Sequence, residues 1–496
     1  MAFFGIDLGT TFCSVATIDE TGRPVSILNK EGGNSTPSCV LIDGTDIAVG
    51  EEARKQMFVP GANAIGRFKR DMGTNKTYEV DGNTFTPTEL SCILLKKLKA
   101  DAEESVGPCG EAVVTIPANF ANEAREATLA AAKAAGLNVK YIINEPTAAA
   151  LYYSFNGDVK VSGNYAVYDL GGGTFDISIV AINGHDVEVL ASNGVGKLGG
   201  DDFDRALQLV AQKKFLALHG DTLEDADYDK NSAEEQKISL SSRDSVKARA
   251  NRKNIELTRS EFEEALSSFI AQTEMLCEAA LEEAGLEPSD IEAVFFAGGS
   301  TRIPLVKESV KRTFNKEPIT VANVDYVVSL GAALYAAHKG DTSALSSVQR
   351  NSIKKLSLQE RTSKYFGTIS MDSDNARGED RLSVSVIIPK GEMIPCEVTK
   401  SFSTVREGQT AVHCRVTESN APETDPKFVK VIWEGDLELP PGRDAGQVVT
   451  ASYAFDDNQI MKCRFLDVGS EKEIVIELST EGAKMDSSGI DKFTVE

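Results

Sequence analysis

Positive charge is in short supply. The 496-residue chain has 52 lysines and arginines against 75 aspartates and glutamates, a net charge of −23. A surface of that sign repels nucleic-acid phosphates and anionic lipid, so neither nucleic acid nor membrane is an expected partner. Long apolar runs are missing too. No stretch reaches the roughly 18 apolar residues of a membrane span, and the opening MAFFGIDLG meets Asp7 without a basic start, unlike a secretory leader. The expected location is cytoplasmic. Paired cysteines are lacking: Cys13, Cys39, Cys92, Cys109, Cys277, Cys396, Cys414 and Cys463 include no C-x-x-C, which excludes a zinc knuckle or dithiol motif and reads as buried, reduced thiols. The four histidines, His185, His219, His338 and His413, are isolated from one another, so histidine ligation of a metal is not expected. With 41% hydrophobic residues, 40 Gly and 16 Pro, the chain is neither low-complexity nor collagen-like. At roughly 100 to 200 residues per domain, its length accommodates two to four globular domains.

What is present begins with an internal echo. Gly5-Ile6-Asp7-Leu8-Gly9-Thr10-Thr11-Phe12 returns as Val167-Tyr168-Asp169-Leu170-Gly171-Gly172-Gly173-Thr174-Phe175, the aspartates lying 162 residues apart. Each copy sits between an apolar strand and a β-rich stretch, Ser14 to Ile18 and Ile177 to Ile182, the pattern of a strand, tight turn and returning strand. Two similar half-domains are expected. A carboxylate at a strand end, followed by glycines and threonines, sets backbone N–H groups and hydroxyls around an anion and leaves the aspartate beside a hydrated magnesium. One such loop also suits an ordinary hairpin. Two corresponding copies would clamp a polyphosphate from both sides.

Helices are expected at Ala121 to Ala135, Thr258 to Ala284 and Pro304 to Phe314, the first two closed by Gly136 and Gly285. Around Gly340 the composition turns to Ser, Asp, Gln and Lys, so residues 341–355 read as an interdomain linker between a domain of residues 1–340 and one of residues 356–480. Beyond it the apolar period becomes two, as in Leu382-Ser383-Val384-Ser385-Val386 and Ile474-Val475-Ile476-Glu477-Leu478, which reads as an all-β sandwich. Residues 481–496 have no helical pattern and read as a tail.

The strings FGIDLGTT (Phe4 to Thr11), INEPTAAA (Ile143 to Ala150), VYDLGGGTFDISI (Val167 to Ile179), LGGDDFD (Leu198 to Asp204) and AGGSTRIP (Ala297 to Pro304) closely resemble the DnaK-type heat-shock 70 kDa chaperones. The resemblance is specific over about residues 1–340 and weaker over about 360–480. It implies an α/β actin-like (ribonuclease H-like) two-lobed ATPase domain followed by a β-sandwich that binds extended apolar segments of unfolded proteins, with ATP or ADP and magnesium as ligands. Asp7, Gly9, Thr10 and Thr11 would form one phosphate loop and Gly171, Gly172, Gly173 and Thr174 the other. Lys69 matches the lysine on the terminal phosphate and attacking water. Glu145, Asp169 and Asp176 match the carboxylates that orient that water, and Asp7 and Asp169 would hold magnesium through water. Gly199 and Gly200 belong to the same binding surface; Glu234, Lys237 and Ser241, with Gly298, Gly299, Ser300, Arg302 and Asp325, match the base and ribose site. Pro117 and Arg125 resemble the interdomain switch, and Phe402, Val405 and Val412 the peptide groove.

Several of these residues have plainer readings. Lys69 lies in a basic run with Arg67 and Arg70; Glu145 is also a first-turn acid that suits a helix start; Phe402, Val405 and Val412 suit simple sandwich packing. The chain also departs from the family pattern. Ile238 stands where many relatives carry an arginine over adenine, and Asp341 to Val348 (DTSALSSV) lacks the leucine-rich docking linker. Tyr141 occupies the place of an arginine that meets J-domain co-chaperones, leaving that partnership open beside a nucleotide-exchange factor. The resemblance covers no helical lid. The leading expectation is an ATP-hydrolysing peptide chaperone. The alternative is a regulatory pseudo-chaperone that binds ATP structurally as an assembly partner; a sugar kinase or actin relative would leave the β-domain unexplained.

Overall fold

The aspartate motif that occurs twice in the sequence ends equivalent strands in two sheets. The computed structural model describes residues 2–57, 59, 61–156, 162–184, 186–225, 227–321, 323–354, 356–372, 381–456, 460–478, 490 and 493–495; His185, Lys355 and most of the expected tail lie outside them. Contacts divide the chain into one unit of Met1–Leu358 with Met485–Glu496 and a second of Gln359–Lys484.

In the first unit, one sheet has the order Val139–Asn144, Cys109–Ile116, Ala2–Asp7, Phe12–Ile18, Pro24–Ile27. Ala2–Asp7 runs parallel to Cys109–Ile116 and antiparallel to Phe12–Ile18, with Asp7 opposite Ser14. The second sheet repeats this arrangement. Ser162–Leu170 runs parallel to Ile291–Ala297 and antiparallel to Phe175–Asn183, with Asp169 opposite Asp176, and Asp186–Val195 continues the meander. The hairpins therefore deliver both aspartates to corresponding positions.

Between the sheets lie helices Glu145–Asn156 and Val327–Lys339, and one core joins Ala148–Tyr153 and Val327–Ala337 to Phe3, Ala16 and Val113 of one sheet and Tyr165, Val167 and Val180 of the other. The helices touch closely enough that a Cβ on Gly331 would lie 1.7 Å from the Ala148 carbonyl oxygen, so that position admits only glycine. Outer cores complete the two lobes, one around Phe4, Ile42, Phe68 and Leu94, the other around Phe203, Phe262, Phe296 and Phe314. The helix expected from Thr258 begins at Arg259, because Thr258 is its cap: its hydroxyl accepts from Glu261 N while the Glu261 carboxylate accepts from Thr258 N, and Gly285 closes the other end at φ 68°.

The second unit holds two four-stranded antiparallel sheets, ordered Arg381–Ile388, Tyr365–Asp372, Ala411–Ser419, Lys430–Glu438 and Cys396–Ser403, Val448–Phe455, Met461–Asp467, Glu473–Leu478. Their inner faces share a core of Ile388, Val416, Leu437, Ala451, Tyr453, Cys463 and Phe465. Tyr453 also donates its buried hydroxyl to Gly367 O at 3.0 Å, satisfying a polar group that would otherwise be costly inside.

The segment expected as a linker is built into the first unit. Thr342–Ala344 forms a short 3-10 turn and Ser347–Ile353 a helix capped by Ser346 and Gln349. Leu345, Ile353 and Leu356 enter the core between the sheets. Gln349 Nε2 donates to Asp19 O at 2.9 Å and Ser352 Oγ to Gly22 O at 3.3 Å. The polar surface of this stretch masked its apolar anchors, Leu345 before the helix, Ile353 at its end and Leu356 just beyond it. Among the described residues no helix is long and apolar enough to cross a membrane. We expect residues 341–354 to resist limited proteolysis with or without nucleotide, and Ile353→Ala to cost about 2–4 kcal/mol in denaturant unfolding of this unit; ready cleavage in the unliganded protein would contradict this placement.

Candidate functional site

The site begins with a lysine that the fold withdraws from water. Strand Ala64–Gly66 passes through Arg67, in the left-handed region at φ 64°, into a 3-10 turn, Phe68–Asp71, whose Phe68 and Lys69 are buried. Phe68 anchors the turn in the core and Lys69 is left only 4% exposed. Lys69 Nζ donates to Glu145 Oε1 at 2.6 Å, and it lies 5.6 Å from the Phe120 ring centre. Glu145 is the first residue of its helix, entered directly from strand Val139–Asn144, where the helix dipole favours a carboxylate. Glu145 therefore both starts its helix and pairs with Lys69.

Around this pair stand three further carboxylates. Burial, reinforced by Glu145, pushes Asp7 up to about 7, although Lys69 and the Thr115 hydroxyl, which donates to Asp7 Oδ1 at 3.1 Å, oppose the rise. Burial and then Glu145 raise Asp169 and Asp176 well above the usual carboxylate range. Burial opposes the Lys69 charge, but Glu145 and Asp7 outweigh it and hold its pKa above normal. One ammonium facing four carboxylates, three buried and Asp7 half-buried, leaves a deficit of positive charge, and that deficit favours the protonated form of the aspartates. Thr11 Oγ1, Asn144 Oδ1, Thr147 Oγ1 and Asp176 Oδ1 are buried with no hydrogen-bond partner, an arrangement that native proteins reserve for a ligand or solvent. Among the described residues no three His, Cys, Asp or Glu side chains converge as a direct metal cage. Asp7 and Asp169, both on the cavity wall, supply carboxylate oxygens to which a hydrated magnesium would donate.

The two glycine loops face one another over this cluster. A Cβ on Gly172 would meet Thr11 Oγ1 at 1.8 Å, and one on Gly173 would meet Thr10 Cγ2 at 2.4 Å. Beyond them opens a cavity of about 610 Å³ lined by Asp7, Gly9, Thr10, Thr11, Lys69, Glu145, Asp169, Gly171, Gly172, Gly173, Thr174 and Gly200, and by Glu234, Lys237, Ser241, Gly298, Gly299, Ser300, Arg302 and Asp325. Lys237 is paired with Asp204 at 2.7 Å and donates to Gly200 O. Ser300 Oγ donates to Gly171 O at 2.9 Å, tying the far turn to the phosphate loop, and Arg302 pairs with Asp325 at 2.5 Å. Ile238 lines the cavity and is 62% exposed. Three ion pairs cross the cleft: Arg54 with Glu234 at 2.8 Å, Arg67 with Asp201 at 2.5 Å and Arg70 with Asp202 at 2.6 Å.

Two expected site residues are placed behind the wall. Gly199 caps helix Gly200–His219, where a Cβ would strike the Gly172 backbone at 2.7 Å. Asp176 is 1% exposed and accepts from the Ala118 and Asn119 amides, so it grips the loop that follows Pro117 from beneath the site. Pro117 and Arg125 do not line the cavity. In the second unit, Phe402 and Val412 pack half-buried on the sandwich core, while Val405 is 54% exposed. Sequence reasoning missed Phe12, Thr115, Asp201, Asp204 and Tyr326. Asp201 and Asp204 lay inside a quoted string, whereas Thr115 becomes visible only when its strand is paired beside Ala2–Asp7.

A family model described as Hsp70 protein matches residues 3–81 and 76–496. The chain belongs to the Hsp70 family. Hsp70 proteins are ATP-dependent chaperones, and as a family they bind ATP or ADP with magnesium.

The charge deficit fixes a pH dependence. Asp7 binds its proton more tightly folded than unfolded, so its contribution to stability is complete below about pH 4 and is lost as pH rises through about 7. Asp7→Asn should flatten the stability of the nucleotide-free protein over that window and raise it by about 2 kcal/mol at pH 7.5. Thermal unfolding at pH 4.5 and 7.5 checks this; equal slopes for the two proteins would contradict it.

Proposed function

We propose that this Hsp70 chain binds ATP with magnesium in an actin-like two-lobed domain, hydrolyses it slowly, and holds extended apolar polypeptide segments on its β-unit. The observation that carries the reading is the buried Lys69–Glu145 pair at the floor of a cavity flanked by two facing glycine loops. Phosphoryl transfer asks a protein mainly for placement and charge, and both are provided here. The backbone of Gly9–Thr11 and Gly171–Thr174 cradles phosphate oxygens, Lys69 faces the terminal phosphate and holds the attacking water, and Glu145 fixes Lys69. Asp7 and Asp169 hold the hydrated magnesium, which when bound neutralises charge on the phosphate oxygens. Thr174 and the orphaned Thr11 hydroxyl supply further donors, while Asp176 keeps the Pro117 loop in position. Glu234, Lys237 and Ser241 with Gly298–Arg302 and Asp325 take the ribose and base, and Ile238 gives the base an apolar contact in place of a stacked guanidinium.

On the β-unit, half-buried Phe402 and Val412 and exposed Val405 support a groove that binds an extended segment by strand-like hydrogen bonds and side-chain pockets. With residues 341–354 folded into the first unit, coupling from nucleotide to that groove through this stretch is weak, which is the observation that favours the regulatory reading if turnover is absent. A nucleotide-exchange factor and J-domain protein are the partners this function calls for, the latter with Tyr141 altering its contact.

Single-turnover hydrolysis is the direct test. Lys69→Ala should keep ATP affinity within about tenfold and lower turnover by about 100-fold or more, since the ammonium acts chiefly in the transition state; unchanged turnover would remove Lys69 from the mechanism. Ile238→Arg should tighten ATP by about 0.5–2 kcal/mol through stacking on the base, read by calorimetry; no gain would place the base elsewhere.

A further inference from the structure

A segment at the far end of the chain belongs to the nucleotide-binding unit. Ile490 is 1% exposed in the core that contains Ile42, Ile47 and Leu94, and Phe493 lies on Phe85 with ring centres 5.6 Å apart. Thr494–Val495 pairs in parallel with Asp46–Ile47, and Thr494 N donates to Thr45 O at 2.9 Å. Phe493 and Val495 are half-buried while Thr494 between them is exposed, the alternation of a strand seated on a sheet edge. Without it, strand Asp46–Val49 would be the open edge of its sheet, a ready template for pairing.

That sheet, ordered Thr494–Val495, Asp46–Val49, Cys39–Asp43, Ala64–Gly66, carries the cations of the cleft. Asp46–Val49 continues through Gly50 into helix Glu51–Gln56 with Arg54, and Ala64–Gly66 continues directly into Arg67, Lys69 and Arg70. We propose that the edge of Asp46–Val49, with Phe85 beneath it, is a strand-accepting site for the chain's own Ile490, Phe493, Thr494 and Val495, and that its occupancy slows nucleotide release by bracing the sheet from which Arg54, Arg67 and Arg70 reach across the cleft. This rests on the nucleotide reading above and concerns its regulation. Ile490 follows Leu478, the last residue of the final β-unit strand, by twelve positions, so the tail is an intramolecular ligand at high effective concentration. A change in the β-unit that draws on this connection is read at the cleft without using residues 341–354. Reciprocity requires bound nucleotide to tighten the tail by the same factor by which the tail tightens nucleotide.

The test measures dissociation of a fluorescent ADP analogue with magnesium by stopped flow, beside hydrogen exchange of the Asp46–Val49 amides. Two full-length variants are used: Ile490→Asp with Phe493→Asp, and Thr494→Pro, which removes only the amide that donates to Thr45. Both should raise exchange in Asp46–Val49 and speed release by about threefold to thirtyfold, a range set by the usual size of site-to-site coupling. A synthetic peptide of residues 488–496, SGIDKFTVE, added to either variant should reverse both effects, which separates loss of the ligand from misfolding. Faster exchange with unchanged release would overturn the bracing, and unchanged exchange would overturn the strand site itself. A wild-type protein that binds no analogue would overturn the nucleotide reading and the bracing together, while the exchange measurement still decides the strand site.

Discussion

One ammonium among four carboxylates, three buried and one half-buried, is the constraint around which the first unit is built. Lys69, Glu145, Asp169 and Asp176 are each 8% exposed or less and Asp7 beside them is half-buried, and such a cluster is stable only if charge is paired, protonated or supplied from outside. Glu145 pairs with Lys69, burial together with the Glu145 charge shifts Asp7, Asp169 and Asp176 toward the protonated form, and the proposed completion is a cation with a polyanionic ligand.

The duplicated half-fold explains how one chain brings these groups together from distant positions. Each half ends a parallel strand in an aspartate and turns back through a glycine loop, and the helices Glu145–Asn156 and Val327–Lys339 hold the halves at close quarters through the Gly331–Ala148 approach. Glu145 is itself the first residue of one of these helices. The element that joins the halves is thus also the one that positions the partner of Lys69, so packing faults at Gly331 and chemical faults at Lys69 converge on the same carboxylate.

Much of this was legible because phosphate loops are local. Asp7 to Thr11 and Asp169 to Thr174 carry their geometry in adjacent residues, and the echo announces the duplication. The sandwich was equally readable, since Val448–Phe455 alternates buried and partly exposed residues with a period of two. What sequence hid was non-local. Without the resemblance Lys69 reads as part of a solvated basic run with Arg67 and Arg70, because nothing beside it shows that Phe68 pins its turn in the core. Asp176 does not line the described cavity despite its motif: it accepts from the Ala118 and Asn119 amides beneath it and keeps Oδ1 buried without a partner. Residues 341–355 read as a linker because polar residues outnumber the two apolar ones, Leu345 and Ile353, that dock, and the tail's two-residue strand is too short to show any period, its partner lying more than 400 positions away.

The account's central claim, that the carboxylate cluster is completed by a magnesium nucleotide, is tested most directly by calorimetric titration of ATP at pH 7. It is run with magnesium and with EDTA, in two buffers of different ionisation enthalpy. With burial pushing Asp7 up to about 7 in the free protein, binding in magnesium should release protons, and removing magnesium should weaken binding by about 100-fold or more. Equal affinity in EDTA, with no proton released in either buffer, would contradict it.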